Sequence, residues 1–207
     1  MGKILNVTQV TDNRFLNMYD LDVEDKNGNR HSYQVASRAR HKEALKLSTG
    51  ENKPDGVIIY ALYGEKQEQV VLIRQYRYSI GTYIYEFPAG LVDEGEDFHA
   101  AGIRELWEET GLTFHPIETD PIYSKPYFTT IGMTDEACAA VYGTAEGEIS
   151  KKGQEETEEI EVVLADRKEV LRILKEEHVS LMCAYMMMHF LHDDPKKPFG
   201  FLEGCKV

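Results

Sequence analysis

Residues 84–112, "IYEFPAGLVDEGEDFHAAGIRELWEETGL", leave a fold little freedom. An aromatic-rich strand, "TYIYEF", stops at Pro88, which has no N–H to give to a sheet ladder. A short loop, "AGLVDEGE", follows. The spacing then predicts a helix from about Asp97 to Thr110, with Gly111 as its C-terminal cap. Such a unit brings loop carbonyls close to the helix. At about 100° per residue, Glu105, Glu108 and Glu109 fall within one arc of roughly 100°. Ile103, Leu106, Trp107 and Thr110 fall on the opposite side. The helix is expected to be amphipathic, with carboxylates along its polar edge.

That edge is costly. Like charges at i,i+4, as in Glu105 and Glu109, destabilise an exposed helix by a few tenths of a kcal/mol, and more as the dielectric falls. Acidic side chains also sit badly at a helix C-terminus, where the macrodipole is already negative. Three things could reconcile them: solvation, a pairing of Arg104 with Glu108 one turn away, or a bound divalent cation. Mg²⁺ favours carboxylate oxygens and usually keeps waters and substrate phosphates in its shell.

Composition narrows the function. The chain has 207 residues and a net charge of −13, which argues against a non-specific nucleic-acid surface. An anionic substrate would need metal ions or local arginines. Cys138, Cys183 and Cys205 are odd in number and lack C-x-x-C spacing, so they read as reduced thiols rather than a disulfide framework or a zinc site. The seven histidines show no metal-binding spacing. No signal peptide and no membrane span is predicted, and a cytoplasmic location is expected.

Along the chain, "YDLDVEDKNGNRHSYQV" alternates on both sides of Asn27-Gly28 and predicts a hairpin. A polar stretch with Gly50, Pro54 and Gly56 marks a boundary near residue 50. It separates an N-terminal β-rich region, 1–50, from a domain of residues 51–207. "VIIYALY", "QVVLIRQYR", "PIYSKPYF", "ACAAVYG" and "EIEVVLA" read as strands. "DRKEVLRILKEE" and "SLMCAYMMMHFLH" read as helices, the methionines of the latter as core or dimer-facing residues. Without regular βαβ alternation, the expected class is α/β, a sandwich around a mixed sheet.

Written as a pattern, the opening stretch is Gly90, five residues, Glu96, seven residues, then Arg104-Glu105-Leu106-Trp107-Glu108-Glu109-Thr110-Gly111-Leu112. Every fixed position of the Nudix box is met, so the chain resembles a Nudix hydrolase. "RQYRYSIGTYIYEFPAG" resembles the stretch before the box in the ADP-ribose (ADP-sugar) pyrophosphatase branch. The resemblance implies a Nudix-type α/β/α sandwich with an N-terminal β-hairpin region. The implied activity is Mg²⁺- or Mn²⁺-dependent hydrolysis of ADP-ribose or a related ADP-sugar to AMP and a sugar phosphate.

Carried over by position, Glu105, Glu108 and Glu109 would be metal ligands with the Ala89 carbonyl, and Glu108 could instead be a base near the metals. Arg104 would pair with Glu96 and orient the loop. Arg77, or else Arg74, would reach substrate phosphate, and Glu86 and Leu91 would lie at the substrate. The N-terminal hairpin would join two subunits into a homodimer, with Phe15 and Tyr33 flanking adenine and Arg38 approaching the phosphates. In "QEETEEIEVV" a loop glutamate, Glu158 or Glu156, would be the catalytic base.

One departure stands out. Ile131 in "TTIGMTDE" occupies the place of a proline common in ADP-ribose enzymes, which leaves the nucleotide open. NADH, a GDP-sugar or a dinucleoside polyphosphate are alternatives, as is a non-catalytic module that senses ADP-ribose.

Overall fold

The structure is a computed structural model that describes residues 1–154 and 159–203. In chain order the strands are β1 (Lys3–Gln9), β2 (Asn17–Glu24), β3 (Arg30–Ser37), β4 (Gly56–Tyr63), β5 (Gln69–Arg77), β6 (Thr82–Glu86), β7 (Ala89–Leu91), β8 (Thr113–Pro116), β9 (Tyr127–Phe128), β10 (Ala137–Glu146) and β11 (Ile160–Ala165). The α-helices are α1 (Lys46–Thr49), α2 (Phe98–Thr110), α3 (Pro121–Ser124), α4 (Arg167–Glu176) and α5 (Leu181–His192). None of the described helices is long and apolar enough to cross a membrane.

The chain divides into two compact units. The first comprises residues 1–55 and 126–138. Its sheet is antiparallel in the order β1-β2-β3. The predicted β2–β3 hairpin turns at Asp25–Asn29, where the Asp25 carboxylate accepts from the N–H groups of Asn27 and Asn29 at 2.8 and 2.9 Å. Segment 126–138 joins the edge of β3, where the Ala36 N–H donates to the Met133 carbonyl at 2.9 Å.

The second unit, residues 56–125 and 139–203 among those described, holds the sheet β11-β5-β4-β10-β8, with β6 beside β5 and β7 beside β4. Val57, Ile59, Ala61 and Val71 pack on one face against Ala101 and Leu106 of α2. Tyr60, Leu62, Val70 and Leu72 pack on the other face against Val170 and Ile173 of α4 and Cys183, Met187 and Phe190 of α5. Helices thus cover both faces, giving the expected α/β/α layering. Strands β4 and β5 are apolar on both sides because both sides are covered.

Three local expectations needed correction. "PIYSKPYF" is mostly not a strand: Asp120 caps α3 by accepting from the Ile122 N–H, Pro121 occupies the first helical position, and only Tyr127–Phe128 is extended. Strands β1, β7 and β8 lie where no strand was expected. The covered face of α2 is also rotated toward Glu109. Ala101, Gly102, Leu106, Glu109 and Thr110 are buried, whereas Ile103 and Trp107 are 42% and 51% exposed. The covered face runs along the small residues Ala101 and Gly102, and a Cβ on Gly102 would make ordinary contact with Val141 at 3.4 Å.

Candidate active site

The ends of α2 are fixed as the sequence suggests. The Asp97 carboxylate accepts from the N–H groups of His99 and Ala100, and Gly111 closes the helix with φ +77°. Leu106, with no exposed surface, anchors it. Full burial of such a side chain contributes about 1.5–3 kcal/mol.

Around this anchor the acidic turn is organised by Arg104. Its Nη1 donates to Glu105 at 2.7 Å and to Glu108 at 3.0 Å. Its Nε and Nη2 reach the two oxygens of Glu96 at 3.1 and 2.9 Å, and Nη2 also donates to the Leu91 carbonyl at 2.9 Å. Arg104 hydrogen bonding, aided by the Asp93 N–H, holds the Glu96 carboxyl below its ordinary range, and Glu96 in turn strengthens the charge on Arg104. The expected Arg104–Glu96 pair is present, and it ties the loop to the helix.

Glu109 faces the other way. It is 3% exposed, and its Oε2 accepts from the Ala89 N–H at 3.1 Å. Between them Gly90 passes so close to Glu105 that a Cβ would lie 1.9 Å from its carboxyl carbon. A side chain at 90 would displace the Glu105 carboxylate from this place. The carboxylate of Glu105 fills the space a side chain at 90 would take, Glu109 reaches the neighbouring Ala89 N–H, and Glu108 lies on the same turn of α2. This donor set suits a hard divalent cation. Among the described residues, no three acidic, histidine or cysteine side chains already converge on one point. Glu105 and Glu108 instead converge on the guanidinium.

Strand β5 separates the two candidate arginines. Its pairings with β11 and β6 run without a shift, so successive side chains alternate faces. Val71 lies on the α2 face and Leu72 on the α4/α5 face. By that alternation Arg77 lies on the α2 face and Arg74 on the opposite one. Arg77 Nε donates to Glu86 Oε2 at 2.6 Å, and Glu86 lies opposite Ile73 on the same face as Arg77. Arg74 pairs with Glu161 at 2.9 Å and stacks over the Tyr83 ring at 4.0 Å.

Phe15, Tyr33 and Arg38 belong to the first unit. Phe15 is 59% exposed, with the Arg14 guanidinium 4.7 Å from its ring centre. Tyr33 donates its hydroxyl to the Gly132 carbonyl at 3.1 Å. It lines a cavity of about 380 Å³ with Val35, Leu47, Phe128 and Ile131. Arg38 Nε and Nη2 both meet Glu136 Oε1 at 2.8 Å. Glu156 and Glu158 lie outside the described residues.

The loop before them meets the end of α2. The Ser150 N–H donates to the Thr110 carbonyl at 2.9 Å, and Gln154 Nε2 donates to the Glu109 carbonyl at 2.7 Å. No local pattern marks these residues, because the contact exists only once β10 has returned the chain to the end of α2.

An α/β/α unit that presents a turn of glutamates beside a glycine loop defines the Nudix fold class. Residues 52–184 match the NUDIX domain family, and the chain belongs to that family. Nudix hydrolases generally use divalent metal ions. Among curated proteins, the chain is 28% identical over 130 residues to the ADP-ribose pyrophosphatase of Saccharomyces cerevisiae, covering 62% of this chain and 54% of that one. It is 38% identical over 87 residues to the ADP-sugar pyrophosphatase of Mus musculus, covering 41% of this chain and 40% of that one. The chain thus spans about half the length of these relatives, or less. A crystal structure titled as an ADP compounds hydrolase superposes with a TM-score of 0.64 at 19% identity, over 90% of each chain, which speaks to the fold.

Proposed function

We propose that this protein hydrolyses the diphosphate of ADP-ribose or a related ADP-sugar, releasing AMP and a sugar phosphate. The observation that carries the reading is the acidic turn of α2, in a chain of the NUDIX family: Glu105 lies against the Gly90 backbone, Glu109 accepts from the Ala89 N–H, and Arg104 holds Glu105 and Glu108. Similarity to proteins named for ADP-ribose and ADP-sugar pyrophosphatase activity supports the substrate class.

Glu105, Glu108 and Glu109, with the Ala89 carbonyl, would hold Mg²⁺ or Mn²⁺. A bound divalent ion supplies charge neutralisation for the diphosphate and acidifies a coordinated water. The chain's own part is positional. Arg104 and Glu96 fix loop 91–96 against α2. Gly90 gives Glu105 its place. Arg77, steered by Glu86 on the α2 face, reaches for a phosphate oxygen, and Leu91 borders the substrate. Glu158 or Glu156 takes a proton from the attacking water as a P–O bond to the leaving phosphate breaks. Arg74, on the other face and already shared between Glu161 and Tyr83, is the poorer phosphate ligand.

In this reading the N-terminal region, residues 1–50, joins two copies and places Phe15, Tyr33 and Arg38 toward the adenosine, and the protein works in the cytoplasm. Ile131 lines the same cavity as Tyr33, which supports a part in base selection for the residue that departs from the branch pattern.

The test is product analysis by ion-exchange chromatography after incubation with Mg²⁺ and ADP-ribose, an ADP-sugar, NADH, a GDP-sugar or a dinucleoside polyphosphate. AMP plus ribose phosphate from ADP-ribose, faster than from the non-ADP compounds, is expected. Preferred cleavage of one of those compounds overturns the substrate, and tight ADP-ribose binding without cleavage overturns the enzyme reading.

A further inference from the structure

A helix leaves its last four carbonyls without partners in its own backbone ladder. In α2 those carbonyls point out of the turn that carries Glu108 and Glu109, where the macrodipole adds negative charge to carboxylates that already repel one another. Two of them are met by one loop. Ser150 N–H donates to the Thr110 carbonyl and the Gln154 side-chain amide to the Glu109 carbonyl, at 2.9 and 2.7 Å. Between these contacts the loop lies directly on the helix. A Cβ on Gly153 would sit 2.7 Å from the Glu108 Cα, and one on Gly111 would sit 2.6 Å from the Ser150 Cβ. The loop therefore closes on two glycines, one on each side of the interface, and ends in a neutral donor. A carboxylate at 154 could not make that bond, and a shorter side chain would not span it.

We infer that Gln154 is a positioning residue for the metal-binding carboxylates, clamping the last turn of α2 through the Glu109 carbonyl. The inference rests on the metal-dependent reading of that turn. Among the described residues, Gln154 is bonded to the Glu109 carbonyl and to no carboxylate oxygen. It fixes the backbone from which Glu108 and Glu109 project, and its amide dipole offsets the negative helix end just where cation-binding groups are crowded. Partners of metal ligands that act this way typically change metal affinity or activity by about 10–100-fold when removed.

The experiment compares the full-length wild type with Gln154→Ala and Gln154→Glu. Each is titrated with Mn²⁺ followed by electron paramagnetic resonance, with kcat and KM for ADP-ribose measured in parallel. Gln154 is half-buried in a loop, so both variants are expected to keep the wild-type melting profile. The Mn²⁺ dissociation constant should rise in both variants by about tenfold, the lower end of what removing a partner of the ligating group itself does, because Gln154 acts through the backbone. The fall should appear in kcat, with KM within about twofold. The glutamate variant should be at least as impaired as the alanine, because size without a donor does not restore the clamp. Mn²⁺ binding within twofold of wild type in both variants overturns the inference while leaving the function intact. A wild type that takes up no Mn²⁺ and cleaves nothing overturns the functional reading, and this inference with it.

Discussion

Two helices of this protein carry the same electrostatic motif, an arginine ringed by three glutamates. In α2, Arg104 meets Glu96, Glu105 and Glu108 at 2.9, 2.7 and 3.0 Å. In α4 and the residue after it, Arg172 meets Glu169, Glu176 and Glu177 at 2.7, 3.6 and 2.7 Å. Hydrogen bonding to its arginine is the largest cause of the lowered pKa of both Glu96 and Glu169. Charge alone does not separate the two clusters; what lies beneath them does. The Glu96 and Glu105 side chains are 19% and 14% exposed, and Glu105 rests on the backbone of Gly90, while Glu108 at 37% is as open as Glu169. Glu169, Glu176 and Glu177 are 37%, 63% and 34% exposed. A solvated cluster relieves its repulsion with water. One pressed onto a backbone needs a cation, and that difference marks the candidate site.

The largest effect that could break the contrast is at Glu109, which α4 does not match. Glu109→Gln should lower turnover at least about a hundredfold by removing a metal ligand. Its melting temperature should stay close to wild type, because the amide oxygen can still accept from Ala89. Glu169→Gln should leave turnover within twofold. Steady-state kinetics and thermal melts on the two variants check this, and an active Glu109→Gln protein would remove the ligand assignment.

What the sequence revealed of this contrast follows from how local each signal is. The box spacing, the start of α2 near Asp97 and its Gly111 cap depend on neighbours within a loop and a helix and were readable, while the Arg104–Glu96 pair was expected from the family resemblance that the spacing carries. Periodicity gave the amphipathic character of α2 but not the rotation of its covered face, because that is set by how the helix packs against Ile59 and Val141 of distant strands. It therefore placed Trp107 with the buried set and Glu109 with the polar edge. Likewise, the resemblance put Arg77 ahead of Arg74 in "RQYR", but the pattern itself carried no physical ground for that order, since strand faces are distinguished only by what packs on each. The Gln154 clamp left no sequence trace, because it joins residues that β10 brings together. "PIYSKPYF" misled by its aromatic content, where Asp120 and Pro121 start a short helix instead.

The same rule about faces yields a smaller, sharper test. Arg77 lies with Val71 on the α2 face and Arg74 with Leu72 on the α4/α5 face. Arg77→Ala should raise KM for ADP-ribose about tenfold, the loss of roughly one charge-assisted hydrogen bond. Arg74→Ala should stay within twofold. Equal losses in the two variants, measured by initial rates, would mean that β5 does not divide a substrate-facing side from a structural one.

The smallest effect belongs to Arg172, and it tests the comparison from its quiet side. A carboxyl whose pKa is lowered on folding contributes stability that is present above its ordinary value and lost as pH falls through the folded one. For both Glu96 and Glu169 that ordinary value is 4.5. The wild type should therefore lose melting temperature as pH drops below this value, and each arginine should account for part of the slope. Because exposed pairs are screened and add little, Arg172→Gln should lower the melting temperature at pH 7 by no more than about 2 °C. It should also flatten the acid slope slightly and leave turnover unchanged. Arg104→Gln should flatten the slope as well, but it should also lose turnover, because the same guanidinium holds Glu105, Glu108 and the Leu91 carbonyl in register. Melting curves from pH 7 to pH 3 with parallel activity at pH 7 separate the outcomes. If Arg172→Gln costs as much activity as Arg104→Gln, burial against a glycine backbone is not what distinguishes the two clusters.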